Sequence, residues 1–224
     1  MSFMPRVIGV TLSTVAVVMT PSCAPESATD STQASPAPSV TSSPFPFPPR
    51  QSSWNAAVPL APQQQAAAEV VFEEMNLVSK WRRTLDRAIP PEILGIVSPE
   101  NKPAYLPVKA LAETGGDTYR VVDVRALSSS RWEFDICRYD SPGVYSMGDS
   151  GQLQLSTPHI IYSAATRTVS WTTEPNGAGE RSDIPRFLVV DIESITDDMA
   201  RRTCEPFRPD PYIQQPPQPL SSGK

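Results

Sequence analysis

Cys137 and Cys204 stand 67 positions apart around the most strand-like part of this 224-residue chain, and a third cysteine, Cys23, closes an apolar N-terminal run. If Cys23 is spent on processing, the other two have only each other, so one lipid-bearing thiol and one disulfide is the simplest accounting. A Cys137–Cys204 bond requires the stretch after the last strand to fold back on the middle of a sheet. It also requires an oxidising compartment outside the cytoplasm.

The N-terminus supports that address. After a single positive charge on Arg6 comes the apolar run Val7–Met19, thirteen residues long. That is signal-peptide length and short of the roughly 20 residues that span a bilayer. The alternative, a buried core helix, lacks a partner helix, and the chain turns Pro-rich at once. Thr20-Pro21-Ser22-Cys23 resembles a bacterial lipobox: Ser22 fits the small residue before the cysteine, whereas Thr20 and Pro21 depart from the pattern. The rival is cleavage after Ser22-Cys23-Ala24, where Pro25 would obstruct a peptidase. Residues 1–22 are therefore expected to be a signal peptide and Cys23 the acylated first residue of an envelope lipoprotein, with a secreted form if the lipobox is not used.

From Cys23 to Gln64 the composition is Pro, Ser, Thr and Ala with few aliphatic residues, which predicts a linker. The 41 positions after Cys23 would average roughly 35 Å end to end as a flexible coil and reach about 130 Å as extended polyproline II. Phe45, Phe47 and Trp54 are unusual for a tether and are candidates to dock on the domain or on a partner. Residues 205–224 are again Pro-rich and are expected to be disordered. Between these ends, residues 65–204 suffice for one domain with a core, not two. The chain carries net charge −5, and removing Arg6 with the signal makes it −6. With no basic stripe, nucleic acid is excluded as a partner, and no Lys-rich amphipathic surface helix is present.

Gln65 to Ile89 reads as a helix whose Val71, Met75, Val78, Trp81, Leu85 and Ile89 form one apolar stripe, with Arg82 intruding on it. Pro90-Pro91 ends it. Glu92–Val97 and Tyr105–Ala112 are predicted as short helical pieces, and Gly115-Gly116 as a breaker. Tyr119–Ala126 and Arg131–Tyr139 then read as a hairpin, with Trp132, Phe134 and Ile136 on one face and Glu133, Asp135 and Cys137 on the other. Further strands are expected at 152–155, 160–163, 166–174 and 186–195. Helices followed by antiparallel strands predict an α+β fold, the N-terminal helices packed on a curved antiparallel sheet.

The layout of one long helix, short helices and a strand ending in Asp135-Ile136-Cys137-Arg138-Tyr139-Asp140, then Phe187-Leu-Val-Val-Asp191 followed by Cys204, resembles a group of actinobacterial envelope lipoproteins and secreted proteins. Their domain is similar to the ketosteroid-isomerase or nuclear-transport-factor cone. In that group a Trp often opens the last strand; here Phe187 stands nearest. The resemblance implies fold and location more than activity.

Catalytic motifs fare poorly. Gly148-Asp149-Ser150-Gly151 looks like a chymotrypsin-type nucleophile loop. That chemistry needs a base held by a carboxylate, and the sole histidine, His159, follows the serine by nine residues. Gly, Asp and Ser also make an ordinary turn. A lone histidine without a free cysteine offers no zinc site, Asp197-Asp198 lacks calcium-loop spacing, and no glycine cluster has the form of a phosphate loop, so neither metal nor cofactor is expected. An acidic constellation remains. Asp123, Glu133 and Asp135 could supply a base inside a cone, or form a water-facing cross-strand lattice with Arg125 and Arg131. Two functions stay open: a non-catalytic envelope protein whose cone binds a protein partner or an apolar, lipid-like ligand, and a small hydrolase or isomerase using an interior carboxylate. An apolar interior would favour the first, and a buried carboxylate at an open pocket the second.

Overall fold

The computed structural model describes residues 45–108, 112–156 and 162–221. Cys23, the signal peptide and His159 lie outside the described residues. Described in chain order are β1 (Gln51–Ala56), α1 (Pro62–Trp81), α2 (Pro91–Ile96), β2 (Glu113–Ser128), β3 (Arg131–Met147), β4 (Leu153–Leu155), β5 (Tyr162–Thr172), β6 (Arg186–Ser194) and α3 (Asp197–Cys204). The fold is α+β. Its six-stranded sheet runs β1-β2-β3-β5-β6, with β4 paired to the far end of β3, and it does not close into a barrel.

The expected sheet was wholly antiparallel; β1 makes it mixed, because it pairs in parallel with β2 from Gln51 opposite Gly116 to Ala56 opposite Val121. The linker expected to extend to Gln64 is therefore folded from β1 onward. Of its aromatics, Trp54 docks on the domain, its ring 6.1 Å from that of Phe72, while Phe45 and Phe47 form a tilted pair with each other at 5.5 Å. Gly115-Gly116 is not a breaker but part of β2. A Cβ on Gly116 would sit 1.9 Å from the Gln51 carbonyl oxygen, and Gly115 adopts φ +76° against Gly143. Glycine is what lets three backbones meet there.

Helix α1 begins with Pro62 at its first position and the Gln64 side chain accepting from the Ala61 N–H at 2.8 Å, as helix starts favour. It stops at Trp81 and not at Ile89. The Thr84 hydroxyl donates to the Trp81 carbonyl, and Asp86 accepts from the Ala88 N–H, local bonds that compete with the helical ladder. Leu85 is consequently exposed. The segment after Pro103 is not helical over its described residues to Val108. Tyr105 packs at a tilt against Trp81, ring centres 5.2 Å apart, and the Val108 N–H reaches the Arg82 carbonyl.

Alternation along β3 gives the sheet two dressed faces. Trp132, Phe134 and Ile136 join Tyr119, Val121, Val169 and Val189 under the Ala67, Ala68, Val71, Val78 and Trp81 side of α1. On the opposite face Val122, Cys137, Tyr139 and Ala164 pack against Ala200 and Cys204 of α3. The Cys137–Cys204 disulfide closes that second cluster, a bond that belongs to an oxidising, extracytoplasmic setting. No described helix is long and apolar enough to cross a membrane. The tail expected to be disordered is tied down as far as Leu220. Tyr212 donates to the Asp140 carbonyl, the Gln215 N–H to the Pro142 carbonyl, and the Leu220 N–H to the Pro46 carbonyl.

Candidate functional site

The acidic constellation sits on the α3 side of the sheet, away from α1. Arg125 donates to Asp123 at 2.6 Å, to Glu133 at 2.8 Å and to Asp135 at 2.9 and 3.0 Å, and Thr166 adds a bond to Asp135. Burial opposes ionisation of Asp135, yet the hydrogen bonds from Arg125 and Thr166 hold its carboxyl below the usual range. The Asp123 side chain is 52 % exposed and that of Arg125 43 %. This is the water-facing lattice, of the kind worth about 0–1 kcal/mol per pair, and it removes Asp123, Glu133 and Asp135 as bases inside a cavity. Ser150 lies exposed in the turn joining β3 to β4, where the Gly151 N–H closes on the Gly148 carbonyl. Asp197 and Asp198 occupy the first turn of α3, where carboxylates complement the helix dipole. Among the described residues no cluster could hold a metal ion.

The chemistry gathers instead in a cavity of about 610 Å³ between α1, the strap that follows α2, and the α1 face of the sheet. Five arginines line it: Arg50, Arg82, Arg83, Arg138 and Arg167. Three carboxylates answer them. Asp117, 1 % exposed, accepts from Arg50 at 2.6 Å, from Ser52 at 2.5 Å and from Arg138. Glu113 accepts from Arg50 at 2.9 Å and from Arg83. Glu74, 2 % exposed on the inner side of α1, faces Arg167 at 3.6 Å.

These carboxylates differ electrostatically. Burial alone would push Asp117 up, but Arg138, Arg50 and the bonds from Ser52 and Arg138 outweigh it and hold the group below the usual carboxylate range. For Glu74 burial prevails over Arg167 and Arg82, and its pKa is raised. Arg167 is pressed the other way, first by burial and further by its neighbour Arg82, with Glu74 opposing. The Nε and Nη1 of Arg167 and the Nε of Arg82 are buried without an acceptor among the described residues.

Sequence reading singled out none of the cavity's carboxylates and noted only Arg82, as an intrusion on an apolar stripe. The signal for Glu74 was there: it falls three residues after Val71 and four before Val78, on the face α1 buries. Arg83 follows Arg82 directly, but Arg138, Arg167 and Arg50 come from β3, β5 and the segment before β1, so no local spacing links these three to the pair.

Comparison of the chain with protein-family models and with curated proteins found no match.

Proposed function

We propose that this chain is a lipid-anchored binding protein of the cell envelope whose α+β domain takes a small ligand into the cavity beneath α1. The observation that carries this reading is that cavity. Its volume falls in the range of small-molecule sites, about 300–1,000 Å³, and its lining sets apolar side chains beside a dense group of arginines and carboxylates. A long helix over one sheet face, with space left at one end, also supports the resemblance to the ketosteroid-isomerase-like cone. The lining is not wholly apolar, so the ligand expected from sequence as apolar is better read as a molecule with one polar end. A nucleophile, a base oriented by a third group and an oxyanion donor set are what a hydrolase would need together. Ser150 stands exposed in a turn and offers none of that company.

The test is native mass spectrometry of the protein extracted from the envelope of producing cells in mild detergent. The wild type is expected to carry a bound small molecule. Ala165→Trp, which fills the cavity from β5, is expected to lose it while keeping the disulfide and the far-ultraviolet spectrum. Ser150→Ala and His159→Ala serve as controls that keep it. A wild type that carries nothing, or a plugged variant that binds equally well, would refute the reading.

A second reading has one observation in its favour: the buried carboxylate of Glu74, with its raised pKa, is the kind of group an isomerase uses as a base. Glu74→Gln separates the two. Under binding, the ligand is retained unchanged; under catalysis, the variant accumulates unconverted ligand.

The anchor has its own check. Intact-mass measurement is expected to find a mature chain beginning at a diacylated Cys23 that partitions into detergent, since one acyl chain alone would bind a membrane only marginally. A water-soluble product beginning at Pro25 would assign the protein to the secreted form.

A further inference from the structure

We infer that the ligand of this cavity carries an anionic group, a carboxylate or a phosphate, that docks between Arg82 and Arg167. The inference rests on the cavity reading above and deepens it. Arg50 and Arg83 are committed to Glu113, and Arg50 and Arg138 to Asp117. Among the described residues that leaves Glu74 as the counter-charge for both Arg82 and Arg167, two guanidiniums against one carboxylate. The one contact between Glu74 and Arg167 is long, at 3.6 Å. Among the described residues the Arg82 side chain makes one long bond, through Nη2 to the Ala104 carbonyl at 3.4 Å.

Two further facts point at a missing acceptor. Nη1 of Arg167 and Nε of Arg82 are buried with no acceptor among the described residues, and Nε of Arg167 has only the long approach to Glu74 Oε2 at 3.6 Å, although buried donors of this kind are nearly always satisfied. The two cations also disfavour each other, since Arg82 lowers the pKa of Arg167. An acid group between them would supply acceptors for the orphaned N–H groups and relieve that repulsion, in a bidentate geometry suited to guanidinium. Val78, Leu106, Val144 and Ile192 supply apolar parts of the lining, against which a hydrocarbon chain or ring could lie. The class is therefore an organic acid with an apolar body.

The experiment titrates the full mature chain, in non-ionic detergent, with hexanoate, hexyl phosphate, inorganic phosphate, hexan-1-ol and hexylammonium, and reads the rise in unfolding temperature. Hexanoate or hexyl phosphate is expected to bind at least ten-fold more tightly than hexan-1-ol, and hexylammonium not at all. If inorganic phosphate matches hexyl phosphate, the ligand is a free anion; if the chain is needed, it is a lipid-like acid. Arg167→Gln and, separately, the half-buried Arg82→Gln are expected to weaken the acids about 10- to 100-fold and leave hexan-1-ol unchanged, as loss of a charge-assisted bond implies. Glu74→Gln is expected to tighten them, because it removes the competing carboxylate, a gain that a merely structural role for Glu74 would not give. Equal binding of hexan-1-ol or hexylammonium, or unchanged acid affinity in both arginine variants, would overturn the assignment. So would binding of no probe; the cavity reading would then stand or fall on the envelope-extracted ligand and the Ala165→Trp plug.

Discussion

Asp117→Ala is expected to lower the stability of the domain by about 3–5 kcal/mol, the cost of removing one partner from a buried ion pair. The carboxylate is almost wholly enclosed and holds Arg50, Ser52 and Arg138 at once. Arg50 would keep Glu113, but Arg138 would lose the carboxylate it is ion-paired with among the described residues and stay in a cavity wall with only the more distant charge of Asp140 to offset it. Asp117→Asn should cost less, because an amide oxygen still accepts. The effect carries a pH signature. Because the folded state holds the Asp117 pKa below its ordinary value, its contribution is complete above the ordinary aspartate range. That contribution is lost as pH falls through the depressed folded value. Urea titrations across acidic pH should therefore show a falling wild-type stability that Asp117→Ala flattens. Glu74 acts in the opposite sense. Its raised pKa means that stability declines as pH climbs from the ordinary glutamate value through the folded one. An Asp117→Ala loss below 1 kcal/mol would mean that water reaches the network and screens it.

Reducing the disulfide is the second large effect, about 4 kcal/mol for a closed loop of 67 positions by the chain-entropy account. For a domain of this size that corresponds to roughly 8–16 °C in Tm. Entropy is not the whole of it. Both cysteines are fully buried within the cluster that seats Ala200, Phe207 and Tyr212, and the Tyr139 hydroxyl donates to the Cys204 carbonyl at 2.7 Å. Freed thiols leave this second core held only by those contacts, so α3 and the tail beyond it should gain amide exchange before the sheet does. Thermal melts and hydrogen exchange with and without reductant check both halves. Two titratable thiols in native, unreduced protein would refute the pairing.

The parts of this fold that were legible in the sequence are those whose pattern is local. Alternation from Arg131 to Tyr139 yielded the β2–β3 hairpin and put Trp132, Phe134 and Ile136 on the face that α1 covers. The helical stripe yielded α1 as far as Trp81. What escaped depends on distant partners. Gln51–Ala56 is poor in aliphatic residues and reads as tether, because its order comes from backbone bonds to a β2 strand some 65 positions later, which composition does not encode. Tyr212, Gln214 and Gln215 likewise look like a loose tail until Asp140 and Pro142 are beside them. The cavity is the extreme case. Arg50, Arg82, Arg138 and Arg167 are unrelated in sequence; the order β1-β2-β3-β5 brings the first, third and fourth near one another, and the end of α1 supplies Arg82.

The hydrogen bond from Leu220 to Pro46 makes the domain nearly a closed ring of chain. Its two ends leave from one seam, the first beside β1 and the second after crossing the far end of β3. A short bridge across that seam, with the chain opened at the exposed Asp149–Ser150 turn, would reorder the sequence without breaking a single strand pairing. By the same geometry, a cargo fused after Leu220 would leave the domain beside Pro46, where the described chain enters the fold.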